Sequence, residues 1–214
     1  MGAIHTAAFG LCILAAIGVV FSTIHNEWKK NSQLDSQLNL VNIYTCAGLW
    51  VRCTSGVKGQ LQCDSYETAL LALPAYLSAL RGMMIVSCIF TILGIAISGF
   101  SLDCNAQIEP TQRIWARRVS GVMVALAGIL TLASVSWYAA EVVREFWMDQ
   151  VNQSSFQYEF GAALYIGWIA SGLALISGCL MACCTCGEPE DEADGYRYTY
   201  NPPKTQPSRN TEYV

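Results

Sequence analysis

The sequence predicts a membrane protein of mainly α class, a four-helix transmembrane bundle with a small β-structured loop at one end. Two observations carry that prediction. Four long apolar runs, at about 6–24, 82–102, 119–140 and 160–186, contain no Asp, Glu, Lys or Arg. A polar segment between the first two, 25–81, holds Cys53 and Cys63 at hairpin distance. Composition agrees: 53% of the 214 residues are apolar and 13% are charged, which does not suit a soluble domain.

Each run reaches the roughly 20 residues that a helix needs to cross about 30 Å of hydrocarbon. The first lacks a basic leader and a small-residue cleavage site, so it reads as a retained helix and not as a signal peptide. Met1–Thr6 matches a myristoylation pattern, but a helix starting almost at once leaves a lipid little to add. Gly121, Ala125 and Gly128 in the third run suit close helix packing.

The loop at 25–81 is patterned. Residues 37–40 alternate polar and apolar, and Val41, Ile43 and Tyr44 continue as a strand-like stretch. Trp50–Cys53 and Gln60–Cys63 alternate too, and residues 54–59 supply turn chemistry between them. A Cys53–Cys63 disulfide would close 11 residues, a constraint worth about 3 kcal/mol in the chain-entropy model. Trp50 either packs its ring on that disulfide or lies at the headgroup level. Arg81 ends an apolar stretch, 70–80, and either snorkels outward, caps loop carbonyls or is an ordinary interfacial charge.

Basic residues fall on both sides and decide sidedness poorly. Cysteines decide it better. Cys53 and Cys63 suit an oxidising compartment, whereas Cys104, Cys183, Cys184 and Cys186 crowd helix ends. Those four read either as cytosolic palmitoylation sites or as apolar filler. Asn152-Gln153-Ser154 is a glycosylation sequon in the 141–159 loop. The expected arrangement is therefore a multi-pass plasma-membrane protein with both termini cytoplasmic and the 25–81 and 141–159 loops outside.

Several function classes drop out. Net charge is −4 without a basic block, so nucleic acid is not an expected partner. His5 and His25 flank the first helix on opposite sides, so no metal site, cofactor or enzymatic constellation is implied. No charge within the runs marks a proton relay or substrate path. An acidic cluster from Glu188 to Asp194 opens a tail, 187–214, that reads as disordered. Its end, Thr211-Glu212-Tyr213-Val214, carries an apolar last residue whose carboxylate suits capture by a PDZ domain.

With Trp28, Gly48-Leu49-Trp50, Cys53 and Cys63 in place, the chain resembles the claudins. The wider superfamily of peripheral myelin proteins and calcium-channel gamma subunits shares that pattern. Leu70–Met84 with Arg81, Ser136–Ala139, Tyr158–Trp168 and the final Tyr213-Val214 narrow it to the claudins. The resemblance implies a left-handed four-helix bundle topped by an extracellular antiparallel β-sheet. It also implies a tight-junction protein that polymerises with itself and other claudins, within one membrane and across the cleft between cells. Phe146, Trp147 and Tyr158 would serve those contacts, and scaffolds of the zonula occludens type would take Tyr213 and Val214.

Asp64 directly follows Cys63, at a position where the family tends to be acidic in cation-permeable members. Charges over 26–80 balance, with Lys29, Lys30, Arg52 and Lys58 against Glu27, Asp35, Asp64 and Glu67. The reading therefore leans to a cation-preferring paracellular pore, with a sealing claudin as alternative and an ion-channel auxiliary subunit as a more distant one. Two departures from the family stand out. Cys46-Ala47 precede Gly48 where many claudins have an acidic residue, leaving a third loop thiol that is expected to be buried. No Pro follows Phe146–Gln150.

Overall fold

In hydrocarbon a backbone amide finds no water, so each apolar run must satisfy its own amides as a helix. The computed structural model describes residues 3–32, 44–55, 60–66, 75–100, 110–151 and 158–184. Within them the order is α1 (Ala3–Ile24), β1 (Lys29–Ser32), β2 (Tyr44–Ala47), β3 (Val51–Ser55), β4 (Leu61–Ser65), α2 (Ala75–Phe100), α3 (Pro110–Val151), β5 (Tyr158–Phe160) and α4 (Ala162–Cys184). All four helices are long and apolar enough to cross a membrane. The 37–43 stretch, the turn at 56–59, Cys104, Asn152, Cys186 and the tail with Tyr213 and Val214 lie outside the described residues.

Two helices depart from their expected bounds. The second begins at Ala75, directly after Pro74, so Arg81 lies inside α2 and not at a loop boundary. A Pro before the first turn costs no intrahelical hydrogen bond. The third run was expected over 119–140, but α3 starts at Pro110 and continues to Val151. Residues 141–151 contain no Gly or Pro to stop it, and Glu141–Arg144 adds an ion pair one turn apart. At 1.5 Å per residue its 42 residues span about 63 Å. Phe146 and Trp147, expected in a loop, are therefore on a helix that projects beyond the apolar zone.

The projecting part meets the sheet. The five strands run in the order β4-β3-β2-β1-β5, with every neighbouring pair antiparallel. Sequence reading missed β5, which joins the far side of the chain to β1 through Lys29↔Phe160, Lys30↔Glu159 and Asn31↔Tyr158. Lys29 pairs with Glu145 on the projecting end of α3, binding strut to sheet. Beneath them Trp28, Leu49, Leu80, Met84, Tyr138 and Leu164 form the core between sheet and bundle.

Lower down, helix contacts rest on small residues and hydroxyls. A Cβ at Gly121 would lie 2.8 Å from the Gly178 carbonyl oxygen, and one at Gly178 would lie 2.7 Å from that of Gly121. The α3 and α4 backbones thus touch, as the small residues of the third run suggest. Ser120 Oγ donates to the Gly94 carbonyl at 2.7 Å and Ser87 Oγ to that of Ala127 at 2.9 Å, tying α2 to α3.

Replacing Gly178 by Val should lower the thermal midpoint of the detergent-purified protein by an amount equivalent to about 1–3 kcal/mol, because backbone cannot yield to a side chain. Gly10→Ala should leave it unchanged or raise it, since nothing lies within 4 Å of a Cβ there. Equal midpoints for the two variants would refute backbone contact between α3 and α4.

Candidate functional site

A helix leaves its last four carbonyls without intrahelical partners, and no Gly directly follows α1 to turn the chain back over them. The loop covers them instead. The His25 amide donates to the Phe21 carbonyl at 2.9 Å. Trp28 Nε1 donates to the Ser22 carbonyl at 2.9 Å and Trp50 Nε1 to that of Thr23 at 2.8 Å. The two indoles thus cap successive residues of one helix end. Trp50 thus has a role beyond the two expected of it, as a hydrogen-bond donor to the end of α1.

Each indole is then fixed from a second direction. The Trp28 ring is wholly buried and meets Tyr138 of α3 edge-on at 5.1 Å. Its backbone accepts from Gly161 at 2.9 Å and donates to Ala47 at 3.1 Å, so one residue links β1, β2 and the start of α4. Trp50 lies under the Arg81 guanidinium, 5.0 Å from the ring centroid, a cation–π contact. Arg81 also faces Tyr66 at 5.5 Å, and its Nε donates to the Leu49 carbonyl at 2.8 Å. Of the readings open for Arg81, capping a loop carbonyl is the one observed.

Gly48 is required by proximity. A Cβ there would lie 2.6 Å from the Asn26 Cα, so only Gly lets the β2–β3 connection pass over the end of α1. Leu49 follows, fully buried in the core beneath the sheet. The Gly-Leu-Trp triplet therefore supplies clearance, an apolar plug and a cap.

Cys53 and Cys63 form the disulfide across β3 and β4. The β4 strand is the outer edge of the sheet, and all five of its residues are exposed. Asp64 is on this strand, and the register sets Arg52 directly opposite it. Opposed charges at such a position attract and partly cancel. Arg52 and Arg81 also act on Tyr66, whose phenol burial pushes up while their charges pull it down.

At the opposite edge, Phe146 lines an open pocket of about 490 Å³ with Val142, Val143, Phe160 and Tyr165, and the Lys30–Glu159 pair at its rim. Trp147 meets Phe146 edge-on at 6.2 Å and is 64% exposed. Tyr158 is in β5, paired with Asn31. The sequence-predicted contact residues thus gather at the α3 and β5 edge, while Asp64 occupies the far one.

Tyr44 donates to Glu27 Oε1 at 3.2 Å. Burial, then Glu27's charge and hydrogen bond, push its phenol up to about 12, so it remains a donor at neutral pH. Cys46 is a buried free thiol, as expected. Among the described residues no group of His, Cys, Asp and Glu could hold a metal ion. His5 and His25 lie at opposite ends of α1.

The profile of the PMP-22/EMP/MP20/Claudin family matches residues 2–181. Claudin-19 of Mus musculus is 36% identical over 177 residues, covering 81% of this chain and 77% of that protein. Claudin-1 of Rattus norvegicus is 32% identical over 209 residues, 96% and 95% of the two chains. The chain belongs to the claudin family. Claudin-4 of Canis lupus familiaris, 34% identical over 198 residues and 92% of each chain, is a further relative. This claudin is accordingly a multi-pass membrane protein of a tight-junction family whose members are structural and not enzymes.

Because Arg81 both donates to the Leu49 carbonyl through Nε and sets its guanidinium over the Trp50 ring, Lys cannot replace it. Arg81→Lys should cost on the order of 1–3 kcal/mol, as the Leu49 carbonyl loses its partner. Intrinsic tryptophan emission should report the Trp50 change at a lower midpoint. A variant that melts like the parent with unaltered emission would remove Arg81 from the capping assembly.

Proposed function

We propose that this claudin polymerises into tight-junction strands and lines a paracellular conduit that prefers cations. The observation supporting the preference is the place of Asp64: on the fully exposed edge strand, next to a disulfide that fixes its backbone. One carboxylate about 4 Å from a cation is worth only about 1 kcal/mol in water, so discrimination needs several copies at a lower effective dielectric. Polymerisation supplies the copies.

The orientation supporting this role has the sheet outside and both termini in the cytosol. A disulfide belongs to an oxidising compartment. Cys183, an exposed free thiol at the other end of α4, is proposed as a site of reversible acylation on the cytosolic side, together with Cys104, Cys184 and Cys186. Phe146, Trp147 and Tyr158 are proposed to meet neighbouring claudins, and the pocket beside Phe146 is their natural seat. Tyr213 and Val214 are proposed to bind PDZ scaffolds through the free carboxylate. Removing Val214 should abolish scaffold pull-down while leaving the protein at the surface. Unchanged capture would reject that partner.

Sealing is the second reading, and Arg52 favours it. A guanidinium directly across from Asp64 lessens the field that a passing cation feels. Dilution potentials across an epithelial layer separate the two. Under the pore reading Asp64→Asn lowers sodium-over-chloride preference and Arg52→Gln raises it. A layer that becomes more resistive on expression, with both variants indifferent, makes this a barrier. Diffuse surface staining without junctional strands would instead point to an auxiliary subunit.

A further inference from the structure

The sheet register aligns three cysteines in one row. Cys46 of β2 pairs with Cys53 of β3, and Cys53 pairs with Cys63 of β4. Residues directly opposite across antiparallel strands project from the same face. The row continues through Lys30 to Glu159 at the other edge. A free thiol, a disulfide sulfur and its partner therefore stand in consecutive places on one face.

We infer that Cys46 is an internal exchange partner for the Cys53–Cys63 disulfide, able to move the cross-link from β3–β4 to β2–β3. Displacement at a disulfide needs the attacking sulfur on the far side of the attacked sulfur from the leaving one. The row supplies that order, with Cys53 in the middle. The Cys46 sulfur gives up its proton and bonds to the Cys53 sulfur. The Cys53–Cys63 bond breaks, and the Cys63 sulfur departs with the electron pair and takes up a proton. One S–S bond and one S–H bond stand on each side, so no oxidant or reductant is consumed.

Spacing allows the new bond and explains why the old one prevails. The Cys53 and Cys63 Cα atoms are 4.0 Å apart, nearer the spacing of a non-hydrogen-bonded pair than of a hydrogen-bonded one. Cys53 then turns its amide and carbonyl toward β2, making Cys46↔Cys53 a hydrogen-bonded pair with Cα atoms about 5.5 Å apart. That is within the 4.4–6.8 Å or so that disulfides span, but Cβ atoms are farther apart there. Cys46 and Cys63 are separated by two strand spacings, about 9.5 Å, and cannot bridge.

Burial pushes the Cys46 thiol up, with Glu27's charge adding, while hydrogen bonding from the Cys53 backbone pulls it down. The thiol stays protonated, and exchange is slow. Exchange would release β4 from its disulfide cross-link to β3 and leave Cys63 as an exposed thiol.

Trypsin separates the three cysteines cleanly. Cleavage after Lys30, Arg52, Lys58 and Arg81 puts Cys46 on 31–52, Cys53 on 53–58 and Cys63 on 59–81. Wild type, Cys53→Ser and Cys63→Ser are expressed in full, alkylated at harvest with N-ethylmaleimide and mapped without reduction. Cys63→Ser should link 31–52 to 53–58 in the bulk of molecules, roughly tenfold more than Cys53→Ser links 31–52 to 59–81. In wild type held in a mixed glutathione buffer, a 31–52/53–58 species should appear with Cys63 alkylated in equal amount, and Cys46→Ser should abolish it. The inference is overturned if Cys63→Ser leaves both thiols alkylated. It is equally overturned if Cys53→Ser links its remaining pair as readily, which marks a scrambled chain, or if wild type yields no exchanged species.

Discussion

The end of α1 is the constraint on which the rest of this claudin depends. A transmembrane helix finishes where hydrocarbon gives way to water, yet beneath a folded loop its last carbonyls still cannot stay bare. Two indole N–H groups, from Trp28 and Trp50, close the carbonyls of Ser22 and Thr23. Neither Trp is a passive anchor. Each is a hydrogen-bond donor carried on a large apolar body, the side-chain type suited to a boundary that is dry below and wet above. Because the two come from different parts of the loop, capping the helix also fixes where β1 and the β2–β3 connection must pass.

The remaining fittings follow from that placement. Arg81 on α2 holds Trp50 from above and the Leu49 carbonyl beside it. Tyr138 on α3 presses on Trp28, and Gly161 at the start of α4 donates to its backbone. All four helices therefore touch the two capping residues directly or through one neighbour. The disulfide is farther out, on the exposed edge, and its task is different: it holds β4, which buries nothing of its own. The bundle needs the tryptophans, and the outer edge needs the cysteines.

Much of this was legible in the residues. The four spans follow from apolar length, and the β3–β4 hairpin follows from alternation and cysteine spacing. The β2 strand was half visible, since Tyr44 ended a strand-like stretch. What escaped detection shares one physical reason, that the deciding interaction is long-range. The β5 strand is three residues long and exists because β1 offers an edge 127–131 residues away in sequence. The continuation of α3 past Ala140 carries charged residues that read as a loop until Lys29 arrives to pair with Glu145. For Arg81, residue type gave the right menu of roles, and the position of the Leu49 carbonyl chose among them. The cap that Trp50 places on Thr23 was not on its menu, because it depends on where α1 ends.

The straight run of α3 into the sheet has a consequence for how the sequence can vary. Surface connections usually accept insertions and deletions, because a loop absorbs a change in length. From Ile129 to Val151 this chain has neither Gly nor Pro to provide a joint. One residue added after Ala140 would turn everything beyond it by about 100° and raise it by about 1.5 Å. Glu145 would swing away from Lys29, and Phe146 would leave its pocket. Length in this segment is thus quantised in helical turns, and 141–151 must keep its count as strictly as any buried span.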